Sequence, residues 1–434
     1  MSPVQIGLFC FIIVMVLILL GIHVSFALIS IGLVGIGLIL GFEPAISSVV
    51  LITFDRVRDY DFAVVPLFLL MSAFISRSGI GEEAYRTACA WVGQFRGGLS
   101  MATTVACAIF AACCGSSLAT AVAMGQMAYP EMRRYNYDAR LSVGTIAAGG
   151  TMGILIPPSI GLIVIGILTE LSIGKLFIAG IIPGILEALF YISTIYILCR
   201  IKPELGPALH KTTIRQKFLS LKLTWPVLLL FLLVIGGIYG GIFTPTEAGG
   251  IGAFGAFVVA LVRRKLNGPG IVSCLFEGTK TTAMMIALLV GAFIFNQFLA
   301  LTRIPFITSE FIVGLGLGKY AVLVLILTVY ILLGMLFDIF SILVLTIPII
   351  FPVMTTLGFD PIWYAVLMVR IVEIGLITPP FGINLFGLAG IVDVPISTIY
   401  RGVMPFLIAD FMHVAFLIMV PSIVTFLPNL MMGS

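Results

Sequence analysis

Apolar residues occur along this chain in long runs that are separated by short polar stretches. A helix needs about 20 predominantly apolar residues to cross a lipid bilayer. Runs of about that length cover residues 4–20, 22–42, 62–76, 175–198, 226–242, 245–262, 283–301, 321–337 and 402–428. Backbone groups in hydrocarbon must find hydrogen-bond partners within their own segment, and a helix provides them. The pattern predicts an all-α polytopic membrane protein.

Two further apolar segments each contain a pair of adjacent prolines. One reads GGTMGILIPPSIG and the other EIGLITPPFGIN. Proline has no N–H and clashes with the carbonyl group four residues earlier, so it interrupts a helix. The residue before a proline is also driven out of helical geometry. The sequence therefore predicts two broken helices, over residues 140–170 and 361–390.

The proline pairs belong to an internal repeat with a constant offset. Adding 222 to Pro130, Pro157, Pro158 and Pro183 gives Pro352, Pro379, Pro380 and Pro405. The same offset relates Gly180 to Gly402. Internal duplication is common among secondary transporters. We place the first repeat at 1–205, a linker at 206–221 and the second repeat at 222–434.

Each half also contains a segment that turns back on itself. The first, 99–134, turns at ACCGSSLAT, and the second, 321–355, turns at GMLFDIFS. Adding 222 to Ser116 of the first turn gives Asp338 of the second. We interpret both segments as re-entrant hairpins. Each half is then predicted to contain two crossings, an arm at the surface, a third crossing, a hairpin, a broken helix and a closing helix.

Positive charge indicates how the two halves are oriented, because Lys and Arg concentrate in cytoplasmic loops. The segment 263–265 reads RRK, whereas its counterpart 41–48 has no Lys or Arg. The region around the linker is also basic, through Arg200, Lys202, Lys211, Arg215, Lys217 and Lys222. Five crossings and one hairpin per half account for these positions, and an odd number of crossings turns the second half upside down. The repeat is predicted to be inverted, with both chain termini in the periplasm.

Composition agrees with a membrane protein and argues against other classes. The 434 residues are 61% hydrophobic and 10% charged, whereas soluble domains are about 25% charged. The mean hydropathy is +1.23, and the net charge of +4 gives no case for nucleic acid. The N-terminal segment MSPVQIGLFCFIIVMVLILL lacks a basic region and a small-residue cleavage site, so we interpret it as a retained helix rather than a signal peptide.

The sequence also lacks the signatures of ATP hydrolysis and of enzymes. No G-x-x-x-x-G-K-[ST] motif occurs, so the chain is not predicted to hydrolyse ATP through a P-loop. The three histidines are scattered at positions 23, 210 and 413, and no H-E-x-x-H motif is present. No nucleophile and base can be placed together. The sequence therefore predicts no enzymatic activity.

Helix breaks after Gly153 and Gly375 would free the last carbonyls of one half-helix and the first N–H groups of the next. Carbonyl and hydroxyl oxygens suit a small hard cation, and N–H groups at a helix start suit an anion. The nearby hydroxyl groups are those of Ser116, Ser117, Thr120, Thr151, Ser341 and Thr378. Asp338 adds a negative charge in the second half. The structural alternative is that the prolines only kink packed helices and that Gly-Ser-Ser only permits close helix contact.

Several ionisable residues in the apolar runs allow two interpretations. Arg370 and Glu373, one turn apart, either pair with each other or leave Arg370 to contact a substrate carboxylate. Four others either form a proton path or are isolated polar residues between packed helices: His23, Glu187, Asp410 and His413.

Four motifs resemble the large membrane subunit of the tripartite ATP-independent periplasmic (TRAP) transporters. They are FTPTEAGGIGA, GGTMGILIPPSIGLI, DIFSILVLTIPIIFPV and GLITPPFGINLF, and the resemblance covers essentially the whole chain. It implies a fold similar to the divalent-anion/sodium symporters, with a scaffold and a moving transport domain that work as an elevator. It also implies Na⁺-coupled uptake of a carboxylate, with two or more Na⁺ and no ATP. The implied partners are a small four-helix membrane subunit and a soluble periplasmic substrate-binding protein.

The resemblance and the tip residues together give three candidate sets of binding residues. The first sodium site comprises Gly115, Ser116, Ser117, Thr120, Gly149, Thr151, Gly153 and Pro157. The second comprises Gly334, Asp338, Ser341, Gly375, Thr378 and Pro379. The candidate substrate-binding residues are Ser116, Pro158, Ser159, Arg370, Pro380 and Asn384.

The substrate is less well defined than the class. Few arginines lie near the turns of the two predicted hairpins. A binding region with so little positive charge favours a monoanion with many hydroxyls, such as sialic acid, over a C4-dicarboxylate. The competing classes are a self-sufficient sodium/carboxylate symporter and a channel. No extra helices precede the first repeat, and the longest loop is cytoplasmic, so both partners are expected to be separate chains. The expected location is the inner membrane of a Gram-negative bacterium.

Overall fold

A computed structural model describes residues 2–209 and 212–432, so His210 and Lys211 of the predicted linker lie outside the described residues. The described residues form α-helices and two short 3-10 helices. The first half contains α1 (Pro3–Leu19), α2 (Val24–Leu40), α3 (Phe42–Arg58), α4 (Val64–Arg77), α5 (Ile80–Val92), α6 (Gly98–Cys114), α7 (Ser117–Arg134), α8 (Ala139–Leu155), α9 (Ile160–Thr169) and α10 (Ile173–Ile201). The second contains α11 (Ile214–Tyr239), α12 (Pro245–Val262), α13 (Gly268–Thr302), α14 (Ile304–Gly314), α15 (Lys319–Leu336), α16 (Ile339–Thr356), α17 (Pro361–Leu376), α18 (Ile383–Ala389), α19 (Ile396–Met419) and α20 (Ser422–Met432).

The structure confirms the all-helical membrane class. Eight helical segments among the described residues are long and apolar enough to cross a membrane, with α8 and α9 counted together as one segment. Helices α1 and α2, which are also strongly apolar, have 17 residues each and fall just below that length.

The helix boundaries recur at the offset found in the sequence. Adding 222 to Ser117, where α7 begins, gives Ile339, where α16 begins. The residues that cap these helices recur in the same way. Ser116 accepts a hydrogen bond from the N–H of Ala119, and Asp338 accepts from the N–H groups of Phe340 and Ser341. An oxygen-bearing side chain therefore starts the second helix of each predicted hairpin.

Helices from the two halves pack against each other in reciprocal pairs. Helix α2 packs along α13, and α12 packs along α4. Further along the chain, α8 packs against α19 and α10 packs against α17. Each of these four pairs thus joins one helix of the first half to one helix of the second half.

The halves differ in how the predicted arm joins the next crossing. In the first half α3 ends at Arg58, and Asp59 adopts an extended conformation and accepts a hydrogen bond from the N–H of Asp61. The 3-10 helix Tyr60–Ala63 then leads into α4. The corresponding residues of the second half include no proline or capping acid, and the arm and the crossing form the single 35-residue helix α13.

Helix α11 begins inside the predicted linker, at Ile214. Thr213 and Gln216 form a capping box that starts this helix at Ile214. Before it, the N–H of Gly97 donates to the Gly206 carbonyl at 2.8 Å, and the N–H of Leu209 donates to the Gly93 carbonyl at 3.0 Å. These bonds hold the linker against the loop between α5 and α6.

Candidate ion and substrate site

The connection between α6 and α7, residues 115 and 116, lies against α8. We call these two residues the first tip. Gly115 has a φ of +61°, which lets the chain turn directly after Cys114. A Cβ atom on Gly153 of α8 would lie 2.7 Å from the Ser116 carbonyl oxygen and 3.0 Å from the Ser117 nitrogen. Only glycine allows this approach of two backbones.

Helix α8 ends close to that contact. The helix continues to Leu155, two residues beyond the predicted break after Gly153, because the prolines and not the glycine terminate it. Pro157 and Pro158, joined by a cis peptide bond, cannot donate to the carbonyls of Gly153 and Ile154. The Ser159 hydroxyl donates to the Ile154 carbonyl in place of the lost N–H and also caps α9. The Gly153 carbonyl, beside the first tip, is therefore the oxygen that the prolines leave available.

The second half shares part of this arrangement. We call residues 337 and 338, between α15 and α16, the second tip. A Cβ atom on Gly375 of α17 would lie 2.6 Å from the Cα atom of Gly334, one turn before the second tip. Helix α17 ends at Leu376, and a cis peptide bond joins Pro379 and Pro380. The glycine contact of the second half is thus with α15, one turn before the tip, and the Gly375 carbonyl accepts a hydrogen bond from the N–H of Thr378 at 3.1 Å.

The hydroxyl groups at these places are donors to nearby oxygens. Thr120 donates to the Ser116 carbonyl at 2.8 Å, and Thr378 donates to the Ile374 carbonyl at 2.6 Å. Ser341 donates to the Asp338 carboxylate, which also caps α16. A hydroxyl that donates its hydrogen keeps lone pairs that can bind a cation. These side chains therefore still qualify as ion ligands.

Three residues predicted for the first sodium site face other neighbours. A Cβ atom on Gly149 would lie 2.7 Å from the Cys107 sulfur on α6. The Pro157 ring lies toward Gly180 of α10, where a Cβ atom would be 3.7 Å from its Cδ. The Thr151 hydroxyl lies 2.9 Å from an oxygen of Glu187. The first tip and Gly153 come together, whereas these three residues contact other helices or side chains.

A cavity of about 300 Å³ separates the first tip from helices of the reciprocal pairs. Helices α4 and α13 line one side, and the first tip, α9 and α16 line the other. Its polar lining groups are the hydroxyls of Ser72, Ser76, Ser116 and Thr281 and the carboxylate of Glu277. The Ser72 hydroxyl donates to the Cys114 carbonyl at 2.9 Å, which ties α4 to the last residue of α6, next to the first tip.

Among the candidate substrate residues, Ser116 lines this cavity and Arg370 does not. Pro158 and Ser159 are buried beneath it, and Pro380 is exposed with its carbonyl accepting from Tyr400. Asn384 is 1% exposed, and its amide nitrogen has no partner among the described residues. Its helix, α18, packs against α7, because Gly387 meets Leu118 there. The second break therefore lies beside the first hairpin.

Arg370 lies in a buried cluster of charged residues. The side chains of Arg370, Glu187 and Asp410 are 0% exposed. Nη1 of Arg370 lies 3.0 Å from Oε1 of Glu187, and Nη2 pairs with Asp410. Nη2 also donates to Tyr191 at 3.2 Å, and Nε donates to Nδ1 of His413 at 3.2 Å. The structure thus pairs Arg370 with Glu187 and Asp410 rather than with Glu373.

This cluster was only partly visible in the sequence. The only signal was the presence of several ionisable residues inside apolar runs, which is uncommon without a function. Nothing local shows that Glu187 meets Arg370, because α10 and α17 come together only through the fold. His23 does not belong to the cluster, and its ring pairs with the Ser25 hydroxyl at 2.8 Å.

The fold and the site together define the class. An all-helical, multi-pass membrane protein with paired interrupted helices has the architecture of a membrane transporter, not of an enzyme. The family model of the tripartite ATP-independent periplasmic transporter, DctM component, matches residues 11–423. The chain belongs to this family and is a large permease subunit of a TRAP transporter.

Relatives and one solved structure agree with this assignment. The C4-dicarboxylate TRAP transporter large permease protein DctM of Pseudomonas aeruginosa is 36% identical, covering 92% of this chain and 94% of the relative. The sialic acid TRAP transporter large permease protein SiaM of Vibrio cholerae is 31% identical, covering 87% and 88%. The crystal structure of the YdaH transporter of Alcanivorax borkumensis has a TM-score of 0.58 at 16% identity, covering 88% of both chains, and shows likeness of fold alone.

Proposed function

We propose that this chain imports an organic acid, with C4-dicarboxylates as the first candidate, and that inward movement of Na⁺ drives the import. The observation that carries the proposal is that a glycine near the end of each broken helix lies against the predicted hairpin of the same half, Gly153 against Ser116 and Gly375 against Gly334. Each pairing concentrates backbone and hydroxyl oxygens in an apolar surround, which suits Na⁺. Two such places in one chain supply two coupling ions.

The substrate assignment rests on the relatives. The sequence alone favours sialic acid, but the permease of Pseudomonas aeruginosa named for C4-dicarboxylates is 36% identical, against 31% for the Vibrio cholerae permease named for sialic acid. Sialic acid is the second candidate. It is favoured by the polar lining of the cavity, which consists of hydroxyl groups and one carboxylate. A sugar acid could be held there by many hydrogen bonds.

The free energy of moving charge across the membrane is compatible with import of either acid. Moving one charge against 100 mV costs about 2.3 kcal/mol, so a dianion costs about 4.6 kcal/mol. Two Na⁺ cancel that charge, and the Na⁺ concentration gradient then supplies the driving force. For a monoanion, two Na⁺ leave one net positive charge that also moves down the membrane potential.

We further propose that the reciprocal helix pairs form the scaffold of an inverted repeat and that the tips and broken helices move against it as an elevator. The cavity lies between α4 and α13 on one side and the first tip on the other, where such a movement would open and close it. The repeat is proposed to sit in the bacterial inner membrane with both termini in the periplasm. A small membrane subunit and a soluble periplasmic binding protein are the proposed partners.

The proposal is tested by uptake into liposomes that contain this chain and its small partner. Labelled succinate and labelled sialic acid are offered with and without the binding protein, under an inward Na⁺ gradient or an equal K⁺ gradient. We expect succinate uptake that requires both Na⁺ and the binding protein. Uptake of sialic acid alone would favour the second candidate, uptake without the binding protein would favour a self-sufficient symporter, and equal rates in K⁺ would remove Na⁺ coupling.

Asp338→Asn tests the charge at the second tip separately from helix capping. Asparagine caps a helix about as well as aspartate, whereas loss of the cap costs about 1 kcal/mol. We expect Asp338→Asn to keep its thermal stability but to need several times more Na⁺ for half-maximal uptake. Asp338→Ala should lose stability as well. Unchanged Na⁺ activation in Asp338→Asn would exclude the carboxylate from the ion site.

A further inference from the structure

Three helix ends meet at a small pocket that carries positive charge. The pocket, of about 190 Å³, lies between the first turn of α8, the end of α10 and the first turns of α19. Arg140, Lys202 and Arg401 line it, and all three are exposed. Within the described part of the chain, none of these three side chains forms an ion pair. We call this site the basic pocket.

Close packing of α8 on α19 fixes two of these cations in place. A Cβ atom on Gly144 would collide with the Gly402 carbonyl, and one on Gly402 would collide with the Arg140 carbonyl. Arg140 lies one turn before Gly144, and Arg401 directly precedes Gly402. The two arginines are therefore carried to the pocket by helices whose backbones touch, not by a loop.

The pocket has more positive than negative charge. Asp138 is the only acid among its described lining residues, and its Oδ1 accepts the N–H of Arg140 at 2.7 Å as the cap of α8. Three cations against one carboxylate leave a surplus of two positive charges. Arginine binds phosphate groups through paired N–H donors, so a phosphate-bearing ligand suits the pocket.

An apolar groove of about 420 Å³ begins where the basic pocket ends. It runs along α10 and α19, and Leu198 and Pro405 line both the groove and the pocket. Apart from Ser193 and Thr194, its lining residues are apolar. On α10 the lining extends from Leu198 back to Leu186, which corresponds to about 18 Å of helix. One leaflet of hydrocarbon is about 15 Å deep, so the groove has the length of a lipid chain.

We propose that the basic pocket and the apolar groove together bind one anionic phospholipid. Its headgroup phosphate lies at the three cations, and one acyl chain lies along α10 and α19. The continuity of pocket and groove favours a lipid over a soluble anion, which would leave the apolar part unused. The surplus charge favours an anionic over a zwitterionic lipid, because the latter brings its own ammonium group. Basic pockets between transmembrane helices are suited to such headgroups.

Native mass spectrometry of the purified full chain tests the proposal without a transport assay. The protein is titrated with phosphatidylglycerol or with phosphatidylcholine, and bound lipid is counted. We expect one phosphatidylglycerol to bind in preference to phosphatidylcholine. The triple variant Arg140→Gln, Lys202→Gln, Arg401→Gln should need about tenfold more phosphatidylglycerol for half occupancy, because each cation near the membrane surface attracts anionic lipid. All three positions are exposed, so the variant should fold.

Two further variants separate the pocket from general charge and from the groove. The control Arg264→Gln, Lys265→Gln, Lys280→Gln removes three exposed cations outside the pocket and should bind phosphatidylglycerol as the wild type does. Ser193→Phe places a ring in the groove and leaves every cation unchanged, and it should weaken binding of the lipid. Inorganic phosphate in excess should not displace the lipid from the wild-type protein.

Each opposite result overturns the proposal. Equal binding of the two lipids, or equal binding by the triple variant and its control, would mean that the three cations hold no headgroup. Displacement by inorganic phosphate would indicate a site for a soluble anion, and wild-type binding by Ser193→Phe would exclude the groove. The titration is repeated with the small membrane subunit bound. Loss of the lipid in that complex would assign the groove to a helix of the partner.

The inference concerns binding of lipid by the protein itself. It stands or falls independently of the transported substrate and of Na⁺ coupling.

Discussion

Replacement of Arg370 by glutamine is expected to lower the free energy of unfolding by about 3–5 kcal/mol, the typical cost of removing one partner from a buried ion pair. The change leaves Glu187 and Asp410, both 0% exposed, without their shared positive charge. It also removes the donors to Tyr191 and His413. Thermal unfolding of the purified protein in detergent measures the effect.

Two comparison variants show whether the loss of stability comes from the buried cluster or from removing any arginine. Arg86→Gln removes an exposed ion pair with Glu82 and should change stability by about 0.5 kcal/mol or less. The triple change Arg370→Gln, Glu187→Gln, Asp410→Asn removes all three charges and should recover much of the loss. If Arg370→Gln were as stable as Arg86→Gln, the buried cluster would not hold these helices together.

Alanine at Gly153 or Gly375 is expected to weaken ion binding at the proposed site beside it. The added Cβ atom would lie 2.7 Å from the Ser116 carbonyl oxygen in the first case and 2.6 Å from the Gly334 Cα in the second. Backbone atoms cannot rotate away, and such overpacking costs about 1–3 kcal/mol. If the whole cost falls on ion binding, half-maximal uptake needs about 5–150 times more Na⁺. Uptake measured against Na⁺ concentration in liposomes gives this ratio.

Gly236→Ala is the matched control for the glycine variants. Gly236 lies in α11, and apart from that helix's own backbone a Cβ atom there would meet no atom of the described residues within 4 Å. Alanine favours a helix by about 1 kcal/mol relative to glycine, so this variant should be as stable as the wild type or more stable. A Gly153→Ala protein with wild-type Na⁺ dependence would show that the contact between tip and break is not part of an ion site.

The positions of the helix breaks and turns could be predicted because each depends on local chemistry. Adjacent prolines end α8 and α17, and an oxygen-bearing cap starts α7 at Ser116 and α16 at Asp338. The charge cluster could not be predicted in the same way. Tyr191 and Arg370 are 179 positions apart, and only the packing of α10 on α17 brings them together. The substrate is harder still to predict, since hydroxyl groups and backbone in the cavity suit several acids.

The continuous helix α13 is longer than the hydrocarbon layer of a bilayer is thick. At 1.5 Å per residue its 35 residues extend about 52 Å, whereas the hydrocarbon layer is about 30 Å thick. If the helix stands upright in the bilayer, one end projects beyond the lipid tails, and Glu277, Thr281 and Met285 on the same helix line the cavity. A force on the projecting end would be transmitted along an unjointed rod. In the first half, the 3-10 helix Tyr60–Ala63 separates α3 from α4, so the same force would bend the chain there.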